Sequence, residues 1–119
     1  MRHIEDDNQA MVMQWARMAR FGEDRVSDYL HHSPNGGKRD VREAARLKNQ
    51  GVMAGFPDLF LFIARKGFHG LFIEMKSRQG RVSSNQVAVM QRLTEQGFKC
   101  VVCNSFEAAK QEITEYLEF

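Results

Sequence analysis

Cysteine and proline are nearly missing from this 119-residue chain, with two of each, and tryptophan occurs once. So few cysteines exclude a disulfide-stapled scaffold, and so few prolines exclude a Pro-rich linker or collagen-like stretch. The two cysteines stand as C-V-V-C at 100–103, a spacing that invites a redox pair or half a zinc site. Their apolar, β-branched surroundings read instead as a buried strand, where residues three apart point to opposite faces. No second C-x-x-C is present to complete a zinc site, so both thiols are expected to act as small hydrophobes. No apolar run approaches the roughly 20 residues that span a bilayer. Met1 to Gln9 are polar and acidic, unlike a signal peptide, and a cytoplasmic location is expected. Charge of one sign does not dominate either: the net charge is +2, which suits nucleic acid but does not specify it. Repeats and low-complexity tracts are absent.

What remains is an ordinary soluble composition, 43% hydrophobic and 27% charged, with nine Phe and seven Met to build a core. One domain over 1–119 is expected. Residues 4 to 20 read as an amphipathic helix with Ile4, Met11, Val12, Trp15, Met18 and Ala19 on one stripe. A short extended segment from Ser27 to His32 precedes the dense turn signal Ser33-Pro34-Asn35-Gly36-Gly37. Asp40 can cap a second helix that runs to Gln50 and stops at Gly51. Two apolar runs, 58–64 and 71–76, flank a Gly-containing loop and read as a β-hairpin. A third helix starts at Ser83 or Ser84, with Val87, Met90 and Leu93 inward. Phe98 to Cys103 form the next strand, and Ser105 caps a last helix whose Phe106, Ala109, Ile113 and Leu117 face the core. Strand, helix, strand from 71 to 103 makes a βαβ crossover, so the last strand should run parallel to 71–76. The fold class is α/β, a mixed sheet flanked by helices.

The hairpin gathers the chemistry. A loop centred near Gly67 sets opposite each other residues whose numbers sum to roughly 132–135, placing Asp58 across from 74 to 77. Glu74 and Lys76 are two apart on one strand and share a face. Three ionisable groups thus converge at one end of an otherwise apolar hairpin, with Pro57 fixing the entry to Asp58. Burying two carboxylates side by side costs several kcal/mol unless a cation intervenes. Two carboxylates, the Met75 backbone carbonyl and water suit Mg²⁺ or Mn²⁺. Lys76 can then orient water or stabilise charge developing on a phosphate. A solvated Glu–Lys pair at a strand end is the plainer alternative, and the apolar context argues against it.

The ordered set G-V-M-A-G-F-P-D-L (51–59), I-E-M-K (73–76) and S-x-x-Q (83–86), with P-N-G-G (34–37) ahead of it, resembles the VRR-NUC branch of the PD-(D/E)XK nuclease superfamily. The resemblance implies a restriction-endonuclease-like core and a nuclease dependent on Mg²⁺ or Mn²⁺. Compact members look like homodimeric resolvases of branched DNA, so a structure-specific, Holliday-junction-type endonuclease is expected. It also implies an acidic residue on the first helix, where Glu5 matches by its place ahead of Gln9, and a site glutamine, matched by Gln86. The plainer alternatives are that Glu5 serves the helix dipole with Asp6 and Asp7 and that Gln86 forms a capping box with Ser83.

Arg39, Arg42 and Arg46 make a basic stripe on the second helix, with Lys38 beside Gly36-Gly37. Ser77, Arg78 and Arg81 follow the catalytic strand. All seven are candidate phosphate contacts. His31 and His32 point oppositely on a strand and read as surface or partner-facing residues rather than metal ligands. A homodimer is expected because a branched substrate needs two cuts, with Phe68 and Phe119 as exposed apolar candidates. A catalytically silent DNA-junction or partner-binding module, or a nuclease subunit acting on other nucleic acid, are the competing readings.

Overall fold

The computed structural model describes residues 4–33, 41–77 and 79–118. The expectations for Pro34 to Asp40, Arg78 and Phe119 therefore lie outside the described residues. Helix α1 spans Ile4–Met18 and is followed by a small hairpin, β1 (Arg20–Phe21) and β2 (Asp24–Arg25), turned at Gly22. A 3-10 turn at Val26–Tyr29 leads into β3, Leu30–His32. The expected extended segment is thus only half extended. The Asp28 carboxylate accepts from the Arg25 N–H and winds the first part into a turn.

Helix α2 (Val41–Asn49), strands β4 (Leu59–Leu61) and β5 (Leu71–Met75), helix α3 (Ser84–Glu95), strand β6 (Lys99–Cys103) and helix α4 (Phe106–Leu117) complete the chain. The sheet order is β3-β4-β5-β6, antiparallel except for the parallel β5/β6 pair. The crossover logic therefore holds. In the hairpin, Leu59 faces Ile73 and Leu61 faces Leu71, a sum of 132, while the tip pairs Arg65 with Phe68, a sum of 133. One extra residue on the β4 side accounts for the difference, and it ends β4 at Leu61 rather than Ala64. Lys66 and Gly67 form the two-residue tip, both with positive φ, as primed hairpin turns require.

Alternation along the strands makes two unlike faces. Leu30, Leu59, Leu61, Leu71, Ile73, Met75 and Cys103 pack with α1 and α4 through Val12, Ala16, Ala109, Ile113, Tyr116 and Leu117. Each fully buried aliphatic side chain there is worth roughly 1.5–3 kcal/mol, so this layer is the rigid base. The Tyr116 hydroxyl donates to the Ile63 carbonyl at 2.6 Å and ties α4 to the hairpin. The other face carries Phe60, Phe72, Glu74 and Cys100 beneath α3. Phe60 stacks on Phe72 at 4.2 Å between centroids, with Phe56 and Phe98 edge-on to Phe72. The Cys100 thiol approaches the Met90 carbonyl on this side, whereas Cys103 enters the α1/α4 core. Their divergence is as expected.

Three packing expectations are corrected. Met11 and Met18 are exposed, because α1 turns Val12 and Ala16 inward, with Met13, Trp15 and Ala19 beside them. Val87 is 52% exposed, and Val89 takes its place in the core. The reason is local: Gln86 points down at the sheet, and Val89, Met90 and Leu93 follow it at helical spacing, leaving Val87 on the flank. Phe68 is half-buried against the core rather than an exposed apolar residue. Helix α2 stands apart and buries none of its residues. Among the described residues no helix is long and apolar enough to cross a membrane.

Candidate active site at the mouth of the hairpin

Extending the β4/β5 pairing outward by one residue sets Asp58 against Glu74. Both side chains then lie on the α3 face, since Leu59 and Ile73 occupy the core face. The Asp58 carboxylate accepts the Met75 N–H at 2.8 Å and shares a hydrogen bond with the Glu74 carboxyl. Glu74 is only 3% exposed, the one buried charged residue described. The Lys76 ammonium lies 3.6 Å from Glu74 Oε2. Gln86 Nε2 donates to that same oxygen at 3.0 Å.

Gln86 does two jobs. Its Oε1 accepts from the Ser83 N–H at 2.8 Å, and its own N–H reaches Ser83 Oγ at 3.2 Å. The capping box therefore aims the amide at Glu74, and the two sequence readings of this residue coexist. Gly55 lets α3 come this close. At a φ of +85° it sits where a Cβ would fall 2.6 Å from the Asn85 carbonyl carbon and 2.8 Å from the Gln86 nitrogen.

One residue further along the register, Pro57 falls opposite Met75. Proline has no N–H, so the Met75 carbonyl loses the ladder donor a sheet would give it. That oxygen is left at the site's edge beside the two carboxylates. This set of two carboxylates and one main-chain carbonyl, all oxygen, matches what a hard divalent cation takes. Among the described residues no group of three or more His, Cys, Asp and Glu side chains gathers to bind a metal. Glu5, the acid expected from the first helix, lies on α1 with its side chain outside the described residues.

Electrostatics point the same way. Burial pushes the Glu74 carboxyl up to about 8, the Asp58 charge adds to the rise, and Lys76 only partly offsets it. Burial also raises Asp58, opposed by the Met75 N–H, the Glu74 hydrogen bond, His32 and Lys76. Without a cation the pair shares a proton at neutral pH. The folded protein keeps that proton up to about pH 8, while the unfolded chain releases it near 4.5. Folding stability of the metal-free protein is therefore expected to fall as pH rises between those values, by on the order of a few kcal/mol. Melting curves in EDTA from pH 5 to 8 check this. Glu74→Gln should flatten the trend, and an equally steep slope in that variant would refute the assignment.

The sequence names His32, Gln9 and Ser33 but gives no sign that they gather at Asp58. His32 Nδ1 lies 3.1 Å from the Asp58 carbonyl oxygen and 2.9 Å from the Gln9 side-chain amide. The Ser33 N–H also donates to the Asp58 carbonyl, at 2.8 Å. With Nδ1 protonated, His32 donates to the Asp58 carbonyl and clamps its main chain; in the other tautomer Nδ1 accepts from Gln9 Nε2. Gln9 sits one turn after Glu5, so the clamp links α1 to the hairpin. His31 and His32 do point oppositely and both are exposed, as expected, and His32 also contacts the Asp58 main chain at the site. The signal was absent from the sequence because β3 pairs with β4 across 26 residues. His32→Ala is expected to lower activity about 10–100-fold, as loss of an outer-shell partner does. His32→Asn, which keeps a donor, should recover part of it. Equal losses in both variants would rule out the clamp.

The expected phosphate contacts are spread out. Arg42 and Arg46 are exposed on α2, and Arg46 is paired to Glu43 at 2.8 Å. Ser77 is half-buried and Arg81 exposed, just beyond β5. Lys38, Arg39 and Arg78 lie outside the described residues.

A mixed sheet with a proline-aspartate and a glutamate-x-lysine on adjacent strands defines a PD-(D/E)XK-type fold. The VRR-NUC domain family matches residues 1–107. A solved structure described as a VRR_NUC domain protein is 34% identical, with a TM-score of 0.86, over 99% of this chain and 91% of that one. No curated protein matches the chain. The chain belongs to the VRR-NUC family, a family of nucleases.

Proposed function

We propose that this protein is a divalent-metal-dependent DNA endonuclease acting in the cytoplasm as a homodimer on branched, Holliday-junction-like DNA. The observation that supports it is the meeting of Asp58, Glu74 and Lys76 on one face, with the Glu74 carboxyl strained by burial. Asp58, Glu74 and the Met75 carbonyl, joined by Glu5, are the proposed ligands of Mg²⁺ or Mn²⁺. When bound, the ion supplies Lewis-acid polarisation of the scissile phosphate. Gln86 fixes Glu74 so that its carboxylate does not swing to solvent. Lys76 places a positive charge where negative charge grows on the phosphate during attack. Its ammonium is anchored by Glu74, which also keeps it from wandering on its flexible stem.

Substrate alignment falls to Lys38, Arg39, Arg42, Arg46, Ser77, Arg78 and Arg81, through phosphates rather than bases. Binding should therefore weaken steeply with salt. Two-fold symmetry supplies the paired cuts a branch point requires. The deciding assay incubates the protein with four-way junctions, flaps and linear duplex, each with Mg²⁺, Mn²⁺ or EDTA. Metal-dependent cutting that favours the junction is the expected result. Junction binding without cutting under any metal would instead make the protein a silent recognition module.

A further inference from the structure

The sheet has two outer edges. The β3 edge is three residues long and carries two exposed histidines. The β6 edge is longer, with five residues, and its Val102 is 46% exposed. Lys99 donates to the Gly70 carbonyl at 2.9 Å, and the Cys103 carbonyl accepts from Lys76 at 2.8 Å. Odd-numbered residues of β6 thus bond inward to β5. The N–H and C=O groups of Cys100 and Val102 therefore point away from the sheet. No described strand pairs with them. Natural sheets blunt such an edge with proline, a bulge, charged side chains or a covering segment; β6 has neither of the first two, and its one charge is Lys99 at the strand's start.

Beside the edge lies a groove of about 460 Å³ lined by Val101, Val102, Cys103, Ala108, Gln111 and Glu112. Of Glu112, on its wall, one carboxylate oxygen, Oε2, is buried and has no hydrogen-bond partner among the described residues. Buried oxygens of this kind are almost always paired. Lys99 stands on the same face of β6 as Val101 and Cys103, and no ion pair engages it among the described residues.

We propose that two copies of this chain pair antiparallel along β6, about a two-fold axis at Val101, with Lys99 of each copy against Glu112 of the other. In this register Cys100 faces the second copy's Val102, so the outward backbone groups of both edges are satisfied. Lys99 then falls opposite Cys103, at the mouth of the groove that holds Glu112. The charges are complementary, and the symmetry uses each twice. The two four-stranded sheets become one continuous sheet. Both Glu74 faces lie on the same side of it. Three inter-strand spacings and a two-residue offset put the two Glu74 positions about 16 Å apart. Both sites then address one branch point. This rests on the dimeric reading above and adds where the dimer forms.

The test is a cysteine cross-link. Val101 would face itself in a non-hydrogen-bonded pair with Cα atoms about 4.5 Å apart, within reach of a disulfide. Val101→Cys should give a covalent dimer on mild oxidation. Wild type, which keeps Cys100 and Cys103, is the blank, and His31→Cys on the β3 edge should stay uncoupled. Independently, Lys99→Glu should weaken dimerisation about tenfold or more, and adding Glu112→Lys should restore it. A protein that sediments as a dimer but shows neither the Val101→Cys link nor the charge-swap rescue overturns the β6 interface and leaves the dimer standing. A wild-type monomer at working concentration overturns both.

Discussion

Replacing Asp58 by asparagine is expected to reduce metal-dependent cleavage about 10³-fold or more, roughly 4 kcal/mol at 1.36 kcal/mol per tenfold. The fold should survive, because asparagine keeps an oxygen for the Met75 N–H that Asp58 now accepts at 2.8 Å. What disappears is one of two negative charges offered to the cation. The same change should raise the melting temperature in EDTA. Asp58 is held at a raised pKa by burial, and its charge drives Glu74 upward in turn, so the metal-free site is a source of repulsion that asparagine removes. Activity down with metal-free stability up is the signature of a ligand pair. Single-turnover cleavage beside a thermal melt reads both. Activity retained within tenfold would remove Asp58 from the site.

Lys76→Ala is the second large effect, with a cleavage loss of about 10²–10³-fold, the size seen when one charge-stabilising donor is removed. Metal binding should persist, since the lysine donates no ligand. DNA binding should persist as well, because a side chain only 16% exposed makes little of the general phosphate surface. The Glu74 carboxyl should rise further, since Lys76 is the group that holds it down. Comparing cleavage with junction binding by the same variant separates the roles. If binding and cleavage fall together by the same factor, Lys76 is a substrate contact and not part of the chemistry.

Much of this was legible because the hairpin is local. Lys66-Gly67 fixes a tip, the apolar runs fix two strands, and the register that follows brings Asp58 to Glu74 with an uncertainty of a residue or two. The structure resolves that uncertainty to direct opposition through one extra β4-side residue. The βαβ crossover was legible for the same reason, as a strand, a capped helix and a strand in sequence. Contacts between distant segments were not. β3 meets β4 only in three dimensions, so nothing in the sequence ties the exposed His32 to the Asp58 carbonyl. The α1 stripe was misjudged because Met11 and Met18 count as apolar in any pattern, yet methionine tolerates exposure. Gly55 stands in the sequence only as one residue of the 51–59 motif, and only the approach of Asn85 and Gln86 shows why a side chain does not fit there.

The most direct examination is a crystal soaked in Mn²⁺ with diffraction collected for its anomalous signal. One peak is expected between the Asp58 and Glu74 carboxylates, touching the Met75 carbonyl, with Lys76 displaced toward the open side. A peak elsewhere on the protein, or none at a Mn²⁺ concentration that supports cleavage, would contradict it.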